Sequence, residues 1–184
     1  ALKSHPLKKV IVVSSTRVYG ESAGERVDDD TSPQPSDAQG QVLLNMETLW
    51  QQAYPSECVI VRPTGIYGTS VARMIKLAET IETYPKLHWS NRIHVDDLAA
   101  FLAHLLHVEH TEKSYICSNS QPLPLHEIMQ WFQQQLGLPA LVLESDVPSG
   151  KQIYATRMQQ MNFELQHPHC FDDYLALLAE RESK

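Results

Sequence analysis

Lys9-Val10-Ile11-Val12-Val13-Ser14 carries four consecutive β-branched residues. A strand made from such a run is apolar on both faces. That suits a parallel sheet, where helices cover each side. The run passes directly into Ser15-Thr16-Arg17-Val18-Tyr19-Gly20, a polar exit ended by glycine. Cys58-Val59-Ile60-Val61-Arg62 repeats the strand pattern, and Pro63 ends it. Between the two, residues 20–38 hold Gly, Asp, Ser and Pro and read as a long loop. Ser36 or Asp37 then opens a helix to about Ala53, with Val42, Leu43, Met46, Leu49 and Trp50 near helical spacing.

Thr64 to Thr69 reads as a Gly-containing loop, and Ser70 as the cap of a helix carrying Val71, Met74, Ile75, Ala78 and Ile81. Val95 to Val108 is the clearest helix. Leu98, Phe101, Leu102, Leu105 and Leu106 share one face, and Asp96 and Asp97 sit at the positive end of the dipole. Tyr115-Ile116-Cys117-Ser118 reads as a short strand. Pro124 to Leu136 reads as an amphipathic helix stopped by Gly137, and Gln130, Gln133, Gln134 and Gln135 form its polar face. Ala140 to Leu143 reads as an edge strand and Phe171 to Arg181 as a closing helix. The order β-loop-α-β-loop-α, followed by smaller mixed elements, defines an α/β protein with a less regular C-terminal lobe.

Of 184 residues, 42% are hydrophobic and 20% charged, the balance of a globular chain able to bury a core. The formal net charge is −7 and the longest basic run is Lys8-Lys9, so no basic stripe marks a nucleic-acid partner. No apolar run is long enough to span a bilayer, and Ala1 to Pro6 contains no apolar signal segment. Cys58, Cys117 and Cys170 are odd in number and widely spaced, which fits free thiols in a reducing compartment. A cytoplasmic location is the expectation.

Four segments in order resemble the extended short-chain dehydrogenase/reductase family, its NAD-dependent epimerase/dehydratase branch in particular. They are Val12-Val13-Ser14-Ser15-Thr16-Arg17-Val18-Tyr19-Gly20, Arg62-Pro63-Thr64-Gly65-Ile66-Tyr67-Gly68, Arg92-Ile93-His94-Val95-Asp96-Asp97-Leu98-Ala99, and Tyr154-Ala155-Thr156-Arg157-Met158 with Phe163 and Pro168. Each is weak alone; their order and spacing carry the resemblance. It implies a partial Rossmann-type, doubly wound parallel sheet with a small mixed C-terminal lobe. Residues 1–85 would be the C-terminal part of an NAD(P)-binding domain, and residues 86–184 a mixed substrate lobe with closing helices.

The resemblance also implies site residues. Ser15 stands where the family has a hydroxyl that hydrogen-bonds the substrate oxygen. Ser14, Pro63, Thr64, Gly65 and Ile66 would line the nicotinamide side of NAD or NADP. Arg92 would hold an anionic group of a small-molecule substrate such as a nucleotide sugar. In many such members the comparable arginine lies further before the histidine, where this chain has Ser90. A homodimer through the helix at residues 38–53 is implied as well.

Two departures stand out. Anchored on Glu47, the family's catalytic Tyr and Lys positions fall on Gln39 and Leu43. Glutamine has no titrating proton and leucine no charge, so the usual proton exchange lacks its groups. The chain also contains no Gly-x-Gly-x-x-Gly, the motif whose amides hold a pyrophosphate. A fragment of a longer NAD(P)-binding protein is therefore expected. The alternatives are a protein that senses a dinucleotide without turning it over, and an interaction domain.

Other readings stand beside these. Ser15 also suits a turn cap, and Arg92 a salt bridge to Asp96 or Asp97. His94 suits a buried histidine bonded to backbone, and Tyr19, Tyr67 and Tyr154 suit packing. His104 and His107 fall opposite the apolar stripe and should be solvated. His167-Pro168-His169-Cys170 reads as loop, and no metal site is expected. Trp50, Trp89 and Trp131 suit core or lobe packing.

Overall fold

The computed structural model describes residues 7–182; the N-terminal stretch Ala1 to Pro6 lies outside the described residues. In chain order the elements are β1 (Val10–Val13), a single 3-10 turn (Thr16–Val18), β2 (Ala23–Val27), α1 (Ala38–Ala53), β3 (Cys58–Pro63), β4 (Gly65–Tyr67) and α2 (Ala72–Thr80). Then come β5 (Thr83–Tyr84), β6 (Leu87–Ser90), β7 (Arg92–His94), α3 (Val95–His107), β8 (Ser114–Cys117), β9 (Leu123–Pro124) and α4 (Leu125–Gln135). The chain closes with β10 (Val142–Leu143), β11 (Pro148–Ile153), α5 (Thr156–Gln160) and α6 (Cys170–Glu182).

The two β-branched runs pair in parallel, with Val10 opposite Cys58 and Val13 opposite Val61. On its other side β3 pairs in parallel with β8, giving the order β1-β3-β8. All six residues of β3 are buried, as a two-sided apolar strand requires. Alternate side chains serve two layers. Val12, Cys58 and Ile60 meet Met46, Trp50 and Tyr54 from α1 and its end. Val59, Val61 and Tyr115 meet Leu98, Phe101 and Leu105 of α3. This is a partial Rossmann-type sheet with helices on both faces. One of its three strands, β8, comes from beyond residue 85.

The second lobe is mixed. Its four-stranded sheet runs β2-β11-β6-β9, with β6 and β9 antiparallel, and β10 pairs with β5. Helices α2 and α4 enclose a separate core of Val71, Ile75, Ile128, Met129 and Phe132, sealed by Tyr174 of α6.

Several local expectations change. Residues 23–27 form β2 instead of loop, because a strand 120 and more positions away pairs with them in parallel. Residues 65–67 form β4 instead of loop, paired with β7. Gln133 is buried, not part of a polar face. Its amide nitrogen donates to the carbonyls of Ala78 (3.1 Å) and Ile81 (2.9 Å), and its amide oxygen accepts from the Leu141 amide (2.7 Å). It thereby joins α2 to the approach of β10. On α3, Leu106 is exposed, while His104 is half-buried against the Phe163 ring. On α1, Val42 and Leu49 are exposed, and Met46 and Trp50 turn inward.

Candidate functional site

The C-terminal ends of β1 and β3 lie side by side and open onto a cavity of about 400 Å³. Ligands of open parallel sheets bind at such strand ends. Thr16, Glu21, Thr64, Gly65, Trp89 and Lys151 are among the residues around it.

The β1 exit is tightly built. Ser14 is buried, its amide donates to the Val61 carbonyl (2.7 Å), and its Oγ has no hydrogen-bond partner. Ser15 caps the 3-10 turn, its Oγ accepting from the Arg17 amide at 3.2 Å. That bond uses a lone pair and leaves the hydroxyl proton available. Thr16 Oγ1 donates to the Pro63 carbonyl at 3.3 Å, tying the two strand exits together. Tyr19 is buried and its hydroxyl accepts from Arg62 Nη1 (2.8 Å), a packing role.

The β3 exit is equally fixed. The Thr64 amide (3.0 Å) and its Oγ1 (3.3 Å) both donate to the Cys117 carbonyl. The Gly65 amide donates to the Asn91 carbonyl (3.0 Å), and a Cβ at Gly65 would lie 2.9 Å from that oxygen. Glycine is what lets β4 approach so closely. Pro63 is buried and Ile66 is 54% exposed.

Gln39 is exposed at the start of α1. Leu43, one turn on, packs against the main core. Asp37 caps this helix, accepting from the Gly40 amide at 2.8 Å.

Lys151 projects from β11, its ammonium donating to the Tyr19 carbonyl. Burial pushes that ammonium below the ordinary lysine range, against the opposing pull of Glu21, Asp37 and Glu25. Burial likewise lowers His88, and the Lys151 charge adds to the effect. The Lys151 side chain, and Trp89 as a cavity wall, were not legible as site residues. What brings them here is the pairing of β11 with β2 and β6, which no local pattern announces.

Arg92 makes no salt bridge to Asp96 or Asp97. It is buried, its Nε donates to the Tyr174 hydroxyl (2.9 Å) and its Nη1 to Ser90 Oγ (3.1 Å). Both partners are neutral, and among the described residues no carboxylate pairs with this guanidinium. It does not border the cavity at the strand ends.

At the start of α3, His94 is the cap, its Nδ1 accepting from the Asp96 amide at 3.2 Å. Asp97 does not cap the helix. It is buried and accepts from the amides of Gln166 (2.8 Å) and His167 (3.0 Å), pinning the C-terminal segment to the sheet lobe. His94 and His167 stack, centroids 3.6 Å apart and planes 16° from parallel. His167 Nδ1 lies 2.6 Å from Asp173 Oδ1, and Asp173 Oδ2 accepts from the Tyr67 hydroxyl at 2.6 Å. His94, His167 and Asp173 hold ligand-type atoms within 4.8 Å of one another. Stacked, near-parallel rings, however, hold their in-plane lone pairs in separate planes, so both cannot point at one ion. The cluster reads as a docking joint for α6.

The hydrogen bond to Asp173 raises the His167 pKa above the usual 6.5, against a smaller burial effect. A raised folded pKa means this joint contributes fully below about pH 6.5 and fades as pH rises through the folded value. The difference in thermal stability between wild type and His167→Gln should therefore be largest near pH 6 and shrink toward pH 8.5. A pH-independent difference in unfolding scans would contradict this.

A partial Rossmann-type sheet, with a cavity at its strand ends and a mixed lobe beside it, defines a Rossmann-type class of α/β protein. No protein-family model matches the chain, and no curated protein matches it. Among solved structures, one from Methylobacillus flagellatus, a protein assigned as an NAD-dependent epimerase/dehydratase, is 36% identical with a TM-score of 0.84. That match covers 98% of this chain and 67% of the other. The chain belongs to the NAD-dependent epimerase/dehydratase family of short-chain dehydrogenase/reductase proteins. The fold is shared with dTDP-glucose 4,6-dehydratase from Bacillus anthracis, solved with NAD (15% identity, TM-score 0.74, covering 95% of this chain and 63% of that one). It is shared too with dTDP-4-dehydrorhamnose reductase from the same organism, solved with NADP (20%, 0.69, 94% and 66%). The chain spans about two thirds of the length of the structures it matches. Among the described residues no helix is long and apolar enough to cross a membrane, and all three cysteines are buried free thiols.

Proposed function

We propose that this chain forms the nicotinamide- and substrate-facing part of an NAD(P)-binding protein that acts on a small polar substrate such as a nucleotide sugar. The observation that carries the reading is the cavity where β1 and β3 end, bordered by Thr16, Thr64 and Gly65. The residues present fit a nicotinamide. Ser14 holds a buried hydroxyl oxygen with no partner, and Gly65 borders the cavity with bare backbone. Ser14, Pro63, Thr64, Gly65 and Ile66 would line the nicotinamide, which when bound supplies or accepts a hydride. Ser15 would donate its free proton to the substrate oxygen. Arg92, a buried guanidinium with only neutral partners, would pair with an anionic substrate group that extends past Ser90 beyond this cavity, since such a charge is costly without a counter-ion. We divide the chain near residue 85 into nucleotide-binding and substrate-binding parts, with α3 and β8 reaching back to the first. Val42 and Leu49, both exposed on α1, support a homodimer through that helix.

A second reading has its own support. Gln39 and Leu43 offer no proton or charge at the family's dyad positions, which suits a protein that senses the dinucleotide without turning it over. The complete protein decides between them. Calorimetric titration with NAD(H) and NADP(H) should give binding, and absorbance of the reduced nicotinamide with nucleotide sugars should report turnover. Ser15→Ala should then lower turnover roughly tenfold to a hundredfold, with cofactor affinity nearly unchanged. Binding without turnover would select the sensor. No binding of either dinucleotide would overturn both.

A further inference from the structure

Any exchange of hydride at a carbon bearing oxygen also moves a proton at that oxygen. With Gln39 exposed and Leu43 packed in the core, the proton needs another carrier. The titratable groups around the cavity are Glu21, His88 and Lys151. His88 Nδ1 is engaged with Ser149 Oγ at 3.1 Å. Glu21 keeps one buried carboxylate oxygen without a partner in the same cavity.

Lys151 is held from two directions. Asn91 Nδ2 donates to the Lys151 carbonyl (2.8 Å), Asn91 Oδ1 accepts from the Ile153 amide (2.8 Å), and the Asn91 carbonyl accepts from the Gly65 amide (3.0 Å). One residue thus ties the Lys151 backbone to the start of β4 at Gly65. At its other end the ammonium donates to the Tyr19 carbonyl, four residues from Ser15. That contact uses one of three N–H groups and leaves two for a ligand. The nitrogen is therefore held at the Tyr19 carbonyl, beside a cavity that Thr16, Thr64 and Gly65 also border.

We propose that Lys151 is the proton-transfer residue of this cavity, standing in for the Tyr/Lys dyad, with Glu21 as the carboxylate beside it. This rests on the dinucleotide-dependent reading above. In the reducing direction, with a reduced nicotinamide dinucleotide as hydride source, the substrate carbonyl oxygen takes a proton from the Lys151 ammonium. An N–H bond breaks, an O–H bond forms, and the neutral amine regains a proton from water. In the oxidising direction the neutral amine accepts the hydroxyl proton. Burial already brings the ammonium closer to losing its proton, while Glu21, Asp37 and Glu25 oppose this.

The test uses the complete protein. Lysines dimethylated with ¹³C should show one resonance, absent in Lys151→Met, that titrates below the usual lysine value of about 10.4. That resonance should move when a nucleotide sugar is added. Lys151→Met should lower turnover roughly 10²- to 10⁴-fold with dinucleotide affinity within twofold of wild type. Lys151→Arg keeps a donor for the Tyr19 carbonyl but cannot release a proton, so it should be as inactive as Lys151→Met. Wild-type-like turnover in Lys151→Arg, or an ordinary lysine titration unmoved by substrate, overturns the assignment and leaves the dinucleotide reading standing. A wild-type protein that binds no dinucleotide or transfers no hydride overturns the assignment together with that reading.

Discussion

Glu47→Ala should destabilise the chain by about 3–5 kcal/mol, the usual result of stranding one partner of a buried ion pair. Glu47 sits on α1, facing the sheet, with only 2% of its side chain exposed, and Arg62 on β3 has 8%. The pair is bidentate: Arg62 Nε donates to Oε1 at 3.0 Å and Nη2 to Oε2 at 2.7 Å. The third nitrogen donates to the Tyr19 hydroxyl at 2.8 Å. Without the carboxylate, a guanidinium remains buried with one neutral partner. For a chain of this size the loss corresponds to roughly 10 °C in Tm, at about 2–4 °C per kcal/mol. Replacing both members, as Glu47→Leu with Arg62→Met, should cost less than either single change, because no charge is then left uncompensated. Thermal unfolding of the three variants checks both statements. A double variant that loses the sum of the singles would show that the pair is not coupled.

Asp29→Ala should cost roughly 3 kcal/mol, because three donors lose one shared acceptor. Asp29 is buried just after β2. Its Oδ1 accepts from the Ile116 amide (2.6 Å), and its Oδ2 from the Arg157 amide (2.9 Å) and Thr156 Oγ1 (3.1 Å). One carboxylate thus joins β8 of the sheet to the N-terminus of α5, where negative charge also suits the helix dipole. Burial raises its pKa in spite of those bonds. The ionised form therefore costs some stability at neutral pH, relative to pH below the usual carboxylate value, and the loss is complete once pH has risen through the folded pKa. Asp29→Asn, which keeps an acceptor and carries no charge, should accordingly lose less than Asp29→Ala near pH 7. Urea unfolding at pH 7 measures both. Equal losses would mean that hydrogen bonding at this position contributes little.

These two residues show how differently a site can be written in a sequence. Glu47 and Arg62 were visible, one as the landmark of a helix and the other as the end of an apolar strand. That they meet follows from the α1–β3 crossover, which the β-α-β order already implies. Asp29 lies in a stretch that reads as loop. Its partners stand 87 to 128 positions later, so no local pattern could name it. The candidate site divides in the same way. Ser14, Ser15 and Pro63 to Ile66 follow apolar strands, so their position at the strand ends was legible. Lys151 is one lysine among polar residues, and only the pairing of β11 with β2 and β6 carries it to the cavity.

The sequence by itself determined the layered α/β core. Unbroken β-branched runs must be buried on both faces, and helices with apolar stripes must cover them. Local periodicity and end signals are enough for that, because each is a property of a few neighbouring residues. Only the tertiary structure decided the rest. It turned residues 23–27 into a strand, and it buried Gln133 as the link between α2 and the approach of β10. It also gave Arg92 neutral partners in place of Asp96 and Asp97. In each case at least one deciding hydrogen bond joins groups far apart in the chain. A buried polar atom takes whatever partner the fold brings within reach, and the residues beside it in sequence do not reveal which partner that will be.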